Sequence, residues 1–194
     1  MRLTRAESKR RTRVALIEAA AEVFARRGFG AARVEEIAER AGVTTGALYA
    51  HFKGKQDLYL AVFEDFAAVR VQQVEQSVGD AGPRAGADQW MRLLDESPSL
   101  FWLHVEFANY AMDHPELRER FALGVAAVRL AIARVLAERY ELTVPPEWLA
   151  TVIRALGLGL ALERLVDPSA IPPEMFGDAV ELLLSTSTVG TAGD

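Results

Sequence analysis

The sequence contains no cysteine, only three histidines and no long uninterrupted apolar run. The lack of cysteine excludes disulfide bonds and thiolate metal sites, and three scattered histidines do not predict a metal site. The most apolar stretch, residues 149–166, carries three charged residues and does not have the roughly 18 apolar residues of a membrane-spanning helix. The basic first residues are not followed by the apolar segment of a signal peptide. These absences predict a cytoplasmic protein with no metal, no cofactor and no membrane partner.

The chain also lacks the short motifs that mark common catalytic sites. It contains no GxSxG, no HExxH, no phosphate-binding loop and no cysteine nucleophile. Residues 157–161 (GLGLA) have the wrong glycine spacing for a dinucleotide-binding turn, and no predicted strand precedes them. The sequence therefore predicts no catalytic residues and a protein that is not an enzyme.

Positive and negative charges are concentrated in different parts of the chain. The formal net charge is −5, but residues 1–55 hold 12 Lys and Arg against 6 Glu, a net charge of +6. Residues 56–194 hold 10 Arg against 21 Asp and Glu, a net charge of −11. This asymmetry predicts a basic module that binds a polyanion, joined to an acidic module with another task.

The first third of the chain has the pattern of three short helices and a longer one. Val14, Ile17 and Phe24 share one face of a helix predicted over residues 13–27. Two short helices are predicted over 34–40 and 44–50, with Gly42 permitting the turn between them and Thr44 as N-cap of the second. Phe24, Val34, Ile37 and Leu48 would form their core. Residues 55–78 form the predicted longer helix.

Glycine and proline set the predicted boundaries beyond residue 78. Residues 79–86 contain three glycines and a proline, which predicts a loop. Four later prolines each open an apolar-periodic run, as expected at the first position of a helix. The predicted helices cover residues 87–96, 99–113, 115–140, 146–166 and 173–187. No segment alternates apolar and polar residues, so the sequence predicts an all-α fold.

The residues around the second and third helices closely resemble the TetR family. The resemblance covers residues 10–60 and implies an N-terminal three-helix helix-turn-helix DNA-binding domain, residues 1–54. It also implies a C-terminal helical ligand-binding and dimerisation domain, residues 55–194. The residues that carry it are Ile37 to Val43 (IAERAGV), Gly46, Ala47, Leu48, Tyr49, Phe52, Lys55 and Leu58, with Ala19, Ala20, Phe24 and Gly28 in register upstream.

The helix-turn-helix pattern predicts contacts with double-stranded DNA, whose major groove admits one helix. The exposed face of the third helix offers Thr44, Thr45, Ala47 and Tyr49 to bases or backbone. The resemblance implies that Tyr49, His51 and Lys55 contact phosphates, and Arg33 is a further phosphate candidate.

The chain departs from many TetR relatives near these positions. Ala32 and Arg33 stand where relatives have Thr or Ser, so the second helix is predicted to lack a side-chain cap. Thr45 and Ala47 stand where relatives have Lys and Thr, so phosphate contacts cannot be copied to those two positions.

Six Lys and Arg residues lie within the first thirteen positions, opposed only by Glu7. They predict an arm that contacts phosphates or the minor groove; a solvated tail is the alternative. The six are Arg2, Arg5, Lys9, Arg10, Arg11 and Arg13.

Aromatic residues are dense between residues 60 and 125, where the resemblance implies an apolar effector site with a few polar groups. A place in ordinary hydrophobic core is the alternative for each of them, and a structural role is the alternative for His104. Acidic groups at 95, 96 and 106 would favour a cationic effector, unless they face solvent. The predicted ligand-binding residues are Phe63, Phe66, Trp90, Phe101, Trp102, His104, Glu106, Phe107, Asn109 and Tyr110.

The last two predicted helices carry small and apolar residues that would suit a dimer. Small side chains let helices approach closely, and two helices from each chain would make a four-helix interface about a two-fold axis. The predicted interface residues are Ala155, Gly159, Leu162, Val166, Phe176, Val180 and Leu183.

Together these features predict a transcription regulator: a homodimeric repressor that binds a palindromic DNA operator and is released by a small-molecule effector. A DNA-binding structural or chromosome-organising protein without a ligand is the alternative, and an enzyme that uses the same apolar cavity is a less favoured one.

Overall fold

The computed structural model describes residues 4–189, apart from the side chains of residues 77–81. The described residues form eight helices and no strand, which confirms the predicted all-α fold. The described residues contain one isolated antiparallel β-bridge, between Leu142 and Thr188. The helices are α1 (Arg5–Ala31), α2 (Val34–Arg40), α3 (Thr45–Tyr49), α4 (Lys55–Glu96), α5 (Pro98–Met112), α6 (Pro115–Arg139), α7 (Pro146–Val166) and α8 (Met175–Ser187).

The chain divides into two compact units. Unit 1 consists of Met1–Phe66 and Trp102–Ala122, and unit 2 of Ala67–Phe101 and Leu123–Asp194. The functional division at residue 54 stays a prediction. Within residues 4–189, none of the helices combines the length and the apolar composition that crossing a bilayer requires.

Helix α1 begins at Arg5, eight residues before the predicted start. Thr4 and Glu7 form a capping box, in which the Thr4 hydroxyl accepts from the Glu7 amide (3.2 Å) and the Glu7 carboxylate accepts from the Thr4 amide (2.7 Å). The basic residues from Arg5 to Arg13 are therefore helical rather than part of an extended arm. Arg2, also assigned to that arm, lies outside the described residues.

A single glycine replaces the loop that was predicted over residues 79–86. Helix α4 runs from Lys55 to Glu96 with one break at Gly82, whose φ of 84° is accessible mainly to glycine. Pro83 follows the break, where a helix restarts and the missing amide of proline costs little. The predicted eight-residue loop is therefore wrong, although it contained the residue that interrupts the helix.

Helices α1, α2 and α3 of unit 1 enclose a small apolar core. Phe24, Ile37 and Leu48 are buried, as predicted, whereas Val34 is half-buried. Val14 is 48% exposed, because the buried face of α1 runs through Leu16 and its helical neighbours instead. Val14 therefore lies outside the buried face, although it shares the apolar periodicity of Ile17 and Phe24.

Unit 2 has a separate core formed by the last part of α4 together with α6, α7 and α8. Its central buried side chains are Met91, Leu94, Leu136, Leu149, Ile153, Phe176 and Val180. Gly157 of α7 allows the Phe176 ring to approach closely, since a Cβ at Gly157 would lie 2.7 Å from Cζ of Phe176. Ion pairs flank this core: Arg164 binds both carboxylate oxygens of Asp95 at 2.8 Å.

Candidate nucleic-acid interface

Helix α3 is anchored on one side and open to solvent on the other. Its Leu48 is fully buried, whereas Tyr49 is 54% exposed. Thr44 is the N-cap, as predicted, because its hydroxyl accepts from the amide of Ala47 at 3.1 Å. Thr44 is exposed, and Thr45 and Ala47 are half-buried. The structure thus brings the four predicted α3 contacts together at one surface element.

Positive charge from the start of α1 lies close to the end of α3. Burial lowers the pKa of His51 below its ordinary value, and the positive charges of Lys9 and Arg13 lower it further. The guanidinium of Arg13 stacks over the Phe52 ring, 4.4 Å from its centroid. Lys9 and Arg13 are both exposed, so this cationic surface is open to a polyanion.

Arg33 lies at the N-cap of α2 with an extended backbone and an exposed side chain. No side-chain cap is formed at this helix start, which confirms the departure predicted from Ala32 and Arg33. Unlike Arg33, three nearby arginines of α1 and α2 form ion pairs with glutamates. Arg26 and Arg27 pair with Glu36, and Arg40 pairs with Glu22.

Helix α1 is broken at Gly28 (φ 74°), and residues 29–32, which follow the break and connect to α2, are held from two sides by charged side chains. The Glu106 carboxylate of α5 accepts from the amides of Phe29 (2.8 Å) and Gly30 (2.9 Å). The Lys55 ammonium of α4 donates to the carbonyls of Gly30 (2.9 Å) and Ala32 (3.2 Å). We call this arrangement, formed by Glu106, Lys55 and residues 29–32, the α1–α2 clamp.

Comparison with known proteins supports this geometry. Residues 16–62 match the family model described as bacterial regulatory proteins, tetR family. This segment of the chain is of the TetR type. The match covers α1 from Leu16, the whole of α2 and α3, and the start of α4, which are the elements that carry the candidate interface.

Two relatives named as HTH-type transcriptional regulators match part of the chain. The HTH-type transcriptional activator FasR of Mycolicibacterium smegmatis is 48% identical over 63 residues, 32% of this chain and 29% of FasR. The HTH-type transcriptional repressor SCO4008 of Streptomyces coelicolor is 29% identical over 127 residues, 61% of this chain and 63% of the repressor. In both cases the chain spans less than two thirds of the relative's length.

A solved structure extends the similarity of fold to nearly the whole chain. The transcriptional regulator FadR from Bacillus subtilis, in complex with stearoyl-CoA, superposes with a TM-score of 0.70. The alignment covers 89% of this chain and 97% of FadR at 20% identity. At this identity the likeness establishes the fold alone.

The effector-binding residues that the TetR resemblance implied do not form one group. In unit 1, Phe63, His104, Phe107 and Tyr110 belong to a cluster of contacting rings. The cluster also contains Phe29, Tyr59 and Phe121, and the Tyr59 and Phe107 rings stack at 3.9 Å. These contacts fit the ordinary core that was the alternative for each residue.

Three other residues of that group lie on the surface of α5. Trp102, Glu106 and Asn109 are exposed, and Glu106 is engaged in the α1–α2 clamp. Asp95 and Glu96 are also exposed, and Asp95 pairs with Arg164. All three acidic groups thus lie at the surface, where Glu106 and Asp95 already have the partners named above, and an acidic lining stays a prediction.

The remaining residues of the group are distributed over both units. Phe66 is half-buried in unit 1. Phe101 is buried in the core of unit 2, where the half-buried Trp90 donates its indole N–H to the Gly157 carbonyl at 3.4 Å. Whether any of the ten binds an effector stays a prediction.

The predicted TetR dimer residues fall into an exposed set and a buried set. Ala155, Gly159, Leu162 and Val166 are exposed along α7. The side chains of Phe176 and Val180 lie in the core of unit 2, which leaves them little surface to offer a second chain, and Leu183 is half-buried. The sequence signal was an apolar stripe, and a stripe of that kind does not distinguish a subunit core from an interface.

Proposed function

We propose that the protein is a ligand-responsive TetR-type transcriptional regulator, a dimeric repressor that binds a palindromic operator and is released by a small molecule. The observation that carries the proposal is the solvent-facing side of α3 beside the cationic start of α1. A short helix of this kind enters the major groove, and adjacent cations neutralise phosphates. The regulator would act on DNA in the cytoplasm, and the proposal includes no catalytic step.

The comparisons support regulation in both directions, since FasR is named as an activator and SCO4008 as a repressor. FadR was solved with stearoyl-CoA, which supports a small-molecule effector for this fold. Repression is the simpler assignment, because a bound dimer that leaves DNA requires no contact with polymerase.

Within the proposed interface, residues have different tasks. Thr44, Thr45 and Ala47 approach base edges, where hydroxyl groups bond to bases and methyl groups contact thymine. Tyr49, His51 and Arg33 contact the phosphate backbone, together with Lys9 and Arg13 of α1. Lys55 positions the interface rather than binding a phosphate, because its ammonium already donates to two carbonyls of the α1–α2 connection.

The second subunit would pack against the exposed face of α7. Leu162 is 42% exposed and Val166 is 72% exposed, and the small residues Ala155 and Gly159 lie on the same helical stripe. Paired recognition helices must stand about 34–36 Å apart, or a multiple of that distance, to read a palindrome. A second copy of this chain on α7 would supply the second helix.

The α1–α2 clamp provides a route by which α5 controls the DNA-binding helices. An effector acts through differential affinity for two conformations. A shift of α5 would move Glu106 and withdraw the acceptor of two backbone amides next to α2.

We expect Glu106→Ala to accelerate hydrogen exchange at the amides of Phe29 and Gly30 by about 10-fold, because their charged acceptor is removed. DNA binding should weaken by a similar factor. Amide exchange followed by nuclear magnetic resonance measures the first effect and gel shift the second. Glu119→Ala, at an exposed glutamate of unit 1, is the matched control. Unchanged protection of both amides would contradict the clamp.

The proposed function is tested by selecting bound sequences from random duplex DNA with the purified chain. We expect a palindromic consensus and an affinity that falls steeply with salt, since each neutralised phosphate contributes about −0.9 to the slope of log K against log salt. Binding without sequence preference would favour the structural alternative. No binding to duplex DNA at low ionic strength would overturn the proposal.

A further inference from the structure

The arginines of unit 2 differ in whether a carboxylate compensates their charge. Arg84 pairs with Asp178 and Glu181, Arg134 with Glu75, and Arg164 with Asp95. Arg70 and Arg154 form no ion pair with any residue that the structure describes.

Arg70 is held against an aromatic ring in an apolar part of α4. Its guanidinium lies 4.9 Å from the centroid of the Trp90 ring, and one nitrogen donates to the neutral Gln73 side chain at 2.9 Å. Val74, one turn further along α4, is buried. Burial lowers the pKa of Arg70 to about 10, and no carboxylate among the described residues offsets this effect. The charge is therefore held in place without an anion.

Arg154 lies one turn before the point where Trp90 meets α7. The indole N–H of Trp90 donates to the carbonyl of Gly157, three residues after Arg154. Burial lowers the pKa of Arg154, and the positive charge of Arg129 lowers it further. The charge that the structure places near Arg154 is thus a second cation. Trp90 links the two arginines, since it stacks on the first and binds α7 beside the second.

A buried cation normally persists only when an anion or several acceptors compensate its loss of water. Here burial lowers the pKa of both Arg70 and Arg154, and neither has a carboxylate partner among the described residues. We infer that Arg70 and Arg154 bind the carboxylate or phosphate group of an effector whose remaining part is apolar. The apolar part would contact Val71 and Val74 of α4 and Ala131 and Val135 of α6, which cluster beside Arg70. This inference rests on the proposed function, for which it names the chemical class of effector.

The inference is tested by isothermal titration of the full chain with decanoate, decyl phosphate and decanol, which share an apolar tail and differ in the head group. We expect decanoate or decyl phosphate to bind at least 10-fold more tightly than decanol, because a guanidinium forms charge-assisted hydrogen bonds to either anion. The tighter of the two identifies the source of the anionic group. Equal affinity for decanol, or no binding of either anion, would overturn the inference.

Substitutions of the two arginines test where the anionic group binds. Arg70→Met and Arg154→Met should each weaken binding of the anion about 10-fold or more, whereas Arg134→Met, at an exposed and paired arginine of the same unit, should not. We also expect Arg70→Met to raise the melting temperature of the ligand-free protein, because it removes an unpaired buried charge. Unchanged anion affinity in both variants would overturn the inference.

Gel shift of the same wild-type sample separates this inference from the proposed function. Operator binding without any anion affinity would overturn the effector class alone. Anion affinity without operator binding would overturn the regulator.

Discussion

Leu162→Asp is expected to convert the proposed dimer to a monomer and to weaken operator binding by about 100-fold or more. The side chain is 42% exposed in the subunit, so the substitution leaves the core of unit 2 intact. In the proposed dimer it would place a carboxylate in an apolar interface, where desolvation is costly. A monomer engages one half-site at a time and loses the gain of about 10²–10⁴ that two linked contacts provide. Analytical ultracentrifugation measures the first effect and gel shift the second.

Leu123→Asp is the matched control, because this leucine of unit 2 is 66% exposed on a different helix, α6. It should leave both the oligomeric state and the affinity for the operator unchanged. A Leu162→Asp protein that remains dimeric would exclude the exposed face of α7 as the interface. A monomeric variant with unaltered operator affinity would show that two half-sites are not read together.

Local signals in the sequence were sufficient for most of the helix boundaries. Pro115 and Pro146 open α6 and α7 as predicted, because the proline ring favours the first turn of a helix. The missed start of α1 also had a local signal: Thr4 and Glu7 have the three-residue spacing of a capping box. The concentration of basic residues there favoured an arm, although a capped helix can carry the same charges.

The break at Gly82 shows that local composition predicts an interruption of a helix but not its length. Three glycines and a proline indicate an interruption but do not fix its length. The helix resumes at once because Pro83 suits a first turn, and Met91 and Leu94 of the following segment are buried in unit 2. Burial of that apolar face favours helix over loop, and it depends on partners in α7 and α8 that are distant in sequence.

Contacts between distant residues could not be derived from spacing. Glu106 and Phe29 are 77 positions apart, and Lys55 and Gly30 are 25 apart. No periodicity relates these pairs, so Glu106 was placed at the effector and Lys55 at the phosphates. Phe176 had the apolar character of an interface residue, and only the close approach that Gly157 permits reveals it as core. The candidate DNA surface could be predicted from the sequence because α2, the turn and α3 follow one another along the chain.

Tyr49→Ala is expected to weaken operator binding by about 10- to 100-fold while folding and dimerisation remain intact. Tyr49 is 54% exposed, so its removal creates no cavity, whereas the loss of a specific contact with DNA costs about 1–3 kcal/mol. Gel shift with the selected operator measures the change, and Met112→Ala, at a similarly exposed residue of unit 1, is the control. Unaltered affinity would remove Tyr49 from the interface.

The salt dependence of the Tyr49 and Lys9 variants distinguishes the two kinds of phosphate contact that the proposal contains. A tyrosine hydroxyl carries no charge and releases no counterion, so Tyr49→Phe should lower the affinity while the slope of log K against log salt stays unchanged. Lys9→Ala should instead reduce the magnitude of that slope by about one. Parallel slopes for wild type and Lys9→Ala would place Lys9 away from the phosphates. The start of α1 would then lower the pKa of His51 without contacting DNA, and recognition would depend on α3.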